Sequence, residues 1–378
     1  MTEENCHLPP EIVEEILCNL PTKSLIRLRG VSKSWRSLIS EHHFVRKHLS
    51  HAAQQKILIL MPSPYANENM YYSQEIMPIK RGGYFCAPFS GSNYWEVFAS
   101  CDGLLCVRVD LSIYIWNPYL KTYRKIPTPL GKQNYDDFIP SYLGFGYDST
   151  RNDYKIVKLS RFRLGYMTET QVFSLKCDSW RKLDDFPPQD YRPLTSVFLN
   201  GSIHWLLATE IMGQNSFALF SFDLSDDKYR EVRLPEYFPI SPSNNNYIVN
   251  LHLCALKGML CVLVEWKSCL VLWAMKDYYS DHDKSWTKIL DIRLDLVLEK
   301  YCIPLGFKPF YFYENGEVMM GVVSDRRTEL LICKDNTVLY RDIIFNKPSV
   351  MKYVFVHVES LVSPLRSCGK LETRNSTG

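Results

Sequence analysis

The side chains able to do chemistry are scattered along this 378-residue chain rather than gathered. Catalysis needs a nucleophile beside a base, two carboxylates whose environments separate their pKa values, or metal ligands at close spacing. Of the nine histidines, His204, His252, His282 and His357 fall in the long C-terminal part, too far apart for a ligand pattern. The twelve cysteines include no C-x-x-C pair. Cys101 with Cys106, or Cys254 with Cys261 and Cys269, lack zinc spacing and read as buried, inert thiols. The paired carboxylates Asp136-Asp137, Asp184-Asp185 and Asp226-Asp227 lie among turn residues, and the last two pairs read as solvated. Gly144-Phe145-Gly146 could open a nucleotide loop, but Ser149 stands where the third glycine belongs and no helix follows. Strand-end glycines are the better reading. The expectation is no catalytic residue, no cofactor and no metal.

Composition fixes only the broad class. Hydrophobic residues make up 46% and charged residues 22%, a globular balance, and 24 Tyr with 19 Phe favour strands. The net charge of +3 gives no support to nucleic-acid or membrane-surface binding. The first seven residues are acidic and polar without an apolar signal core, so reduced thiols and a cytoplasmic or nuclear location are expected. Leu251 to Met275 has the length of a membrane span, but Lys257, Glu265 and Lys267 interrupt it, and three short strands explain it better.

The elements that must position a binding site fall into two kinds. Residues 8–49 read as helical. Pro9 and Pro10 suit a first turn, and Ile12, Val13, Ile16, Leu17 and Leu20 follow at helical spacing until Pro21. Thr22 or Ser24 is expected to cap a second helix carrying Leu25, Ile26 and Leu28, closed by Gly30. Ser32 is expected to cap a third with Trp35, Leu38 and Ile39. So small a module cannot bury all these side chains itself, so a partner or a neighbouring domain must cover them. Arg27, Arg29, Lys33 and Arg36 give it a basic side.

Beyond residue 50, short apolar runs alternate with turns. Five turn dipeptides recur: Asp102-Gly103, Asn152-Asp153, Asn200-Gly201, Lys257-Gly258 and Asn315-Gly316. Their second residues are spaced by 50, 48, 57 and 58 positions. Each unit ends on an aromatic, two polar residues and an aliphatic: Tyr123 to Ile126, Trp180 to Leu183, Tyr229 to Val232, Trp286 to Ile289, Tyr340 to Ile343. Four strands per unit is the make-up of a propeller blade. Residues 52–366 hold about six such units at this spacing, the sixth split between strands near Lys56–Leu60 and Met70–Ile76 and a strand within Tyr353–Val362. Pairing these ends would close the ring without a free edge.

These residues carry a resemblance. Leu8-Pro9-Pro10-Glu11-Ile12-Val13-Glu14-Glu15-Ile16-Leu17, Leu20-Pro21 and Val31-Ser32-Lys33-Ser34-Trp35 look like an F-box. Ser100 to Cys106, Trp116-Asn117-Pro118, Gly144 to Asp148, Asp153 to Val157, Asn200 to Trp205 and Glu359 to Val362 look like the F-box-associated domain of plant F-box/kelch-like proteins. The paired glycines of strict kelch repeats are missing, so an F-box-associated propeller is the better description. The resemblance implies a multidomain α plus all-β chain: a flexible 1–7, an F-box over 8–50, a roughly six-bladed β-propeller over 52–366 and a disordered 367–378. It implies a substrate-recognition subunit of a Skp/cullin/F-box ubiquitin ligase, with a Skp-type adaptor and, through it, cullin and RING proteins as partners. Leu8, Pro9, Ile12, Ile16, Leu20, Pro21, Leu25, Val31 and Trp35 would form or support the adaptor-facing surface, although Trp35 could equally hold the helices together. The longest loops gather on one propeller face and carry Tyr135, Phe138, Arg161, Arg163, Tyr166, Tyr191, Arg192, Tyr237 and Phe238, candidate contacts to a protein substrate. A non-degradative scaffold and a metal-dependent propeller enzyme remain as alternatives.

Overall fold

The computed structural model describes residues 8–51, 55–61, 70–75, 80–86, 88, 95–129, 142–161, 168–183, 192–211, 214–235, 248–266, 269–276, 278, 286–297, 304–324, 328–345 and 353–365. The expected flexible 1–7 and tail 367–378 lie outside them.

Four helices come first: α1 (Pro10–Cys18), α2 (Thr22–Leu28), α3 (Lys33–Ser40) and α4 (His42–His51). Pro9 is the N-cap of α1 and Pro10 follows in its first turn, where a missing N–H costs nothing. Ser32 caps α3 as expected, its Oγ accepting from the Trp35 N–H at 3.1 Å. The second helix differs. Pro21 occupies its cap position and no side chain caps it. Thr22 Oγ1 donates instead to the Glu359 carbonyl at 3.3 Å, 337 residues away. The hydroxyl has been taken by tertiary structure.

The remaining strands form six four-stranded antiparallel sheets among the described residues. The first contains β1 (Gln55–Met61), β2 (Met70–Glu75) and β3 (Lys80–Cys86). The second contains β4 (Trp95–Cys101), β5 (Leu104–Val109), β6 (Ser112–Asn117) and β7 (Thr122–Lys125). The third holds β8 (Tyr142–Asp148), β9 (Asp153–Arg161), β10 (Thr168–Ser174) and β11 (Ser179–Leu183). The fourth holds β12 (Arg192–Leu199), β13 (Ser202–Ile211), β14 (Gln214–Asp223) and β15 (Tyr229–Val232). The fifth holds β16 (Ile248–Leu256), β17 (Met259–Trp266), β18 (Cys269–Met275) and β19 (Trp286–Arg293). The sixth holds β20 (Pro304–Phe312), β21 (Val318–Ser324), β22 (Thr328–Lys334) and β23 (Thr337–Phe345). The last strand, β24 (Tyr353–Val358), returns to the first sheet and pairs with β1 from Gln55↔Val358 to Leu60↔Tyr353.

The strands β24, β4, β8, β12, β16 and β20 lie innermost. Each touches the next, and β20 touches β24, so the ring is closed. This is a six-bladed propeller whose first blade is built from both ends of the repeat region. The sequence reading placed two N-terminal strands in that blade; β3 is a third that it did not find. The Leu251–Met275 stretch is indeed three strands, most of β16 with β17 and β18. No helix among the described residues is long and apolar enough to cross a membrane.

Each recurrent turn dipeptide joins an inner strand to its neighbour. Asp102-Gly103, Asn200-Gly201 and Lys257-Gly258 have positive φ at both residues, as tight hairpins require. The aromatic markers occupy the outermost strands, β7, β11, β15, β19 and β23.

Gly144 and Gly146 are not at a strand end. They sit within β8, where a Cβ at Gly144 would lie 2.6 Å from Ile203 and one at Gly146 would lie 2.2 Å from Phe198. Their role is close blade-to-blade packing. Apolar clusters fill other seams in the same way, such as Val157, Ile203, Trp205 and Phe222 between the third and fourth blades. Charges are buried there too. Asp148 receives Lys155 Nζ at 2.8 Å and Arg151 Nη1 at 3.0 Å. Burial alone would raise the Asp148 carboxyl, but its bonds from Lys155, Thr150 and Arg151 hold it well below the usual range.

Candidate functional site

The helices have one face on the propeller and one in solvent. Leu17, Cys18, Leu25, Ile39, Phe44 and Val45 join a single core with Cys101, Leu104, Phe145 and Ile156 of the second and third blades and with Leu361 and Val362 beyond β24. The neighbouring domain therefore covers part of the apolar surplus that the sequence shows.

Polar contacts fix this seam. Arg46 on α4 pairs with the Asp102 carboxylate, which also accepts from Tyr154 OH at 2.8 Å. The Arg46 guanidinium stacks 4.1 Å above the Tyr147 ring. Burial and the Asp102 charge push the Tyr154 hydroxyl well above its ordinary pKa, which keeps it a donor. Asn117, fully buried, donates to the carbonyls of Ser360 at 3.0 Å and Val362 at 2.8 Å. It binds the C-terminal segment between propeller and helices. For the Arg46–Asp102 pair, a double-mutant cycle of Arg46→Met and Asp102→Asn by denaturant unfolding should give a coupling of about 1 kcal/mol. A coupling of zero would deny the pair any part in holding the seam.

The opposite helical face is apolar and open. Leu8, Ile12, Ile16 and Val31 are 59%, 44%, 50% and 65% exposed. Ile12 and Ile16 are one turn apart on α1, so they share a face. Pro9 and Pro21 are exposed at the starts of α1 and α2. Leu20 and Trp35 are half-buried against the shared core. Leu25 is wholly buried, so among the nine residues proposed from sequence it can only support the face from beneath. Lys47 Nζ ties α4 to Glu14 of α1 at 3.0 Å, and His48 Nε2 donates to the Leu20 carbonyl at 2.9 Å. Arg27, Lys33 and Arg36 are exposed, whereas Arg29 turns inward and donates to the Ile39 carbonyl at 3.3 Å. The basic side is thus smaller than the sequence suggests.

On the propeller, the helices meet the turns at the Asp102 end of the strands. Arg161 closes β9 and Arg192 opens β12 at the other end. The other candidate contacts, Tyr135, Phe138, Arg163, Tyr166, Tyr191, Tyr237 and Phe238, lie outside the described residues, as does His282. His204, His252 and His357 stand in three different sheets. His204 Nε2 lies 2.6 Å from Tyr278 OH, and His357 stacks on Tyr119. Nothing brings the three together.

Sequence reasoning missed Arg46, Asp102 and Asn117 as seam residues. Asp102 was visible only as a turn former, and its second role depends on a residue 56 positions away.

Known proteins fit this arrangement. The F-box domain model matches residues 5–47, and the F-box associated beta propeller domain model matches residues 80–364. An F-box/kelch-repeat protein of Arabidopsis thaliana is 30% identical over 305 residues, covering 76% of this chain and 79% of its own. A second Arabidopsis thaliana F-box protein is 26% identical over 400 residues, covering 94% of this chain and 91% of its own. The F-box protein CPR1 of the same plant is 27% identical over 314 residues, with 76% and 73% covered. A helical module docked on a closed six-bladed ring, matched along both parts, makes this chain a member of the plant F-box proteins with an F-box-associated β-propeller.

Proposed function

We propose that the chain is the substrate-receptor subunit of a Skp/cullin/F-box ubiquitin ligase. The observation that carries this is a set of exposed large apolar residues outside the core shared with the propeller: Ile12 and Ile16 one turn apart on α1, Leu8 just before it and Val31 between α2 and α3. Large apolar residues left exposed together in a small module mark a protein interface. A Skp-type adaptor is the occupant, linking the chain to cullin and RING proteins.

The face of the ring away from the helices then holds a protein substrate, with Arg161 and Arg192 at its strand ends. Function follows from proximity, since tethering raises the effective concentration of substrate lysines near a ubiquitin-loaded enzyme. In this reading the chain is not itself an enzyme, and it works in the cytoplasm or nucleus.

The test is adaptor retention by the full chain carrying Ile12→Asp and Ile16→Asp. Both side chains are exposed, so circular dichroism should be unchanged while adaptor binding falls by more than about a hundredfold, two buried apolar anchors being lost. Retained binding would sink the proposal.

A further inference from the structure

Between Glu15 and Glu41 the chain carries five cations, Lys23, Arg27, Arg29, Lys33 and Arg36, and no carboxylate. The whole chain is only +3, so its positive charge is concentrated on α2 and α3 and the remainder is net negative. Arg29 turns inward to the Ile39 carbonyl, and elsewhere in the module Arg46 pairs with Asp102 and Lys47 with Glu14. Lys23, Arg27, Lys33 and Arg36 are exposed, and none of these four has an ion pair among the described residues.

Little in the local fold asks for this charge. Lys23 lies in the first turn of α2 and Lys33 opens α3, at the positive ends of their helix dipoles, where a carboxylate would stabilise and a cation does the reverse. Arg27 alone suits its dipole, in the last turn of α2. Lys23 and Arg27 stand four residues apart and Lys33 and Arg36 three, so each helix sets two like charges on one side. Local rules broken without compensation inside the chain point to compensation from outside it. The cations also flank Val31, which is exposed and lies between Arg27 and Lys33. A nucleic acid has no use for Val31, Ile12 and Ile16 beside its phosphates, whereas an acidic protein surface with an apolar centre uses both.

We propose that the partner seated on Ile12, Ile16 and Val31 presents a carboxylate-rich surface to α2 and α3, and that Lys23, Arg27, Lys33 and Arg36 steer its association. This rests on the adaptor reading above and deepens it. The apolar residues hold the complex together, while the exposed cations set how fast and in which orientation it forms. Charges of this kind act mainly on the association rate and lose their effect as salt screens them.

The test is stopped-flow association of the full chain with a purified Skp-type adaptor at about 0.05 M and about 0.5 M salt. The association rate should fall at least about tenfold between the two. Arg27→Glu with Arg36→Glu should lower it at least about tenfold at low salt, leave the dissociation rate within about threefold, and approach the unaltered chain at high salt. Lys125→Glu with Lys276→Glu makes the same change of net charge at exposed positions on the propeller and should leave the association rate within about twofold. Circular dichroism should be the same for all three chains. Rates indifferent to salt and to Arg27→Glu/Arg36→Glu would overturn the proposal; the adaptor reading would survive if Ile12→Asp/Ile16→Asp still abolished binding. An equal fall in the propeller variant would also overturn it, leaving net charge alone as the cause. Tighter binding of a single-stranded RNA than of the adaptor, lost in Arg27→Glu/Arg36→Glu, would overturn it in favour of a nucleic-acid surface. An adaptor that does not bind the unaltered chain sinks both readings together.

Discussion

A chain ending at Lys352 is expected to lose its cooperative unfolding transition altogether. The cut removes β24, the innermost strand of the first blade, which pairs with β1 over six residue positions and touches β4 and β20 on either side. Without it β1 has a free edge and two neighbouring inner strands lose an apolar wall. The same cut removes Leu361 and Val362 from the core under the helices, and the carbonyls of Glu359, Ser360 and Val362 that Thr22 and Asn117 hold. The combined loss is on the order of the whole stability of a domain, about 5–15 kcal/mol. Thermal melts followed by circular dichroism, with hydrogen exchange in β4 and β20, measure it. A synthetic peptide covering 353–365 should restore part of the transition. A truncated chain that melts cooperatively at the full-length midpoint would show that the ring does not depend on this closure.

The second large effect is expected at Gly103, with Gly201 as its control. Both residues end an inner-strand turn with nearly the same backbone, φ 78° and 77°. An alanine at either position pays for a left-handed conformation, about 1–2 kcal/mol. They differ in what a Cβ would meet. At Gly201 nothing lies within 4 Å, whereas at Gly103 the new atom would fall 2.3 Å from Ser360 Cβ and 2.5 Å from the Val358 carbonyl. Gly201→Ala should therefore cost about 1–2 kcal/mol. Gly103→Ala should cost more than about 3 kcal/mol, since the C-terminal segment must shift and strain the helix seam with it. Denaturant unfolding of the two variants gives the comparison directly, and equal losses would remove the seam from the explanation.

What the sequence shows plainly is local and repeated. The turn dipeptides announce themselves because positive φ restricts which residues can stand there, and Asp102-Gly103 or Asn200-Gly201 have few other uses. The aromatic markers from Tyr123 to Tyr340 recur because every outermost strand meets the same problem, a half-buried edge. Even closure is legible, since unpaired strands at both ends of a repeat call for each other. Further turns could have been found by the same signal: Lys121, Asp178, Asp227 and Asp335 take positive φ just before the outermost strands β7, β11, β15 and β23.

Less legible is anything that depends on a distant residue. Thr22 looks like a helix cap because its local chemistry allows one, yet its hydroxyl serves Glu359. Gly144 and Gly146 look like punctuation because the blade that needs their missing side chains is some 55 positions further on, at Phe198 and Ile203. Arg29 reads as one more surface cation until the fold turns it inward. The open helical face is intermediate: its apolar spacing is visible, but only the packed structure separates Ile12 and Ile16 from Leu17 and Leu25.

The Glu359–Val362 segment between helices and ring has a consequence for how the protein is made. A ribosome completes the F-box some 310 residues before the Glu359–Val362 stretch it rests on. At about 10 residues per second, that interval is roughly half a minute. During it the helices have neither their final floor nor, through Asn117, the strap that fixes that floor in place. Nascent chains therefore present both apolar faces of the F-box at once, and emergence of Glu359–Val362 converts a sticky intermediate into a docked module. Chaperone demand should stay high until the Glu359–Val362 stretch has emerged and fall once it has docked.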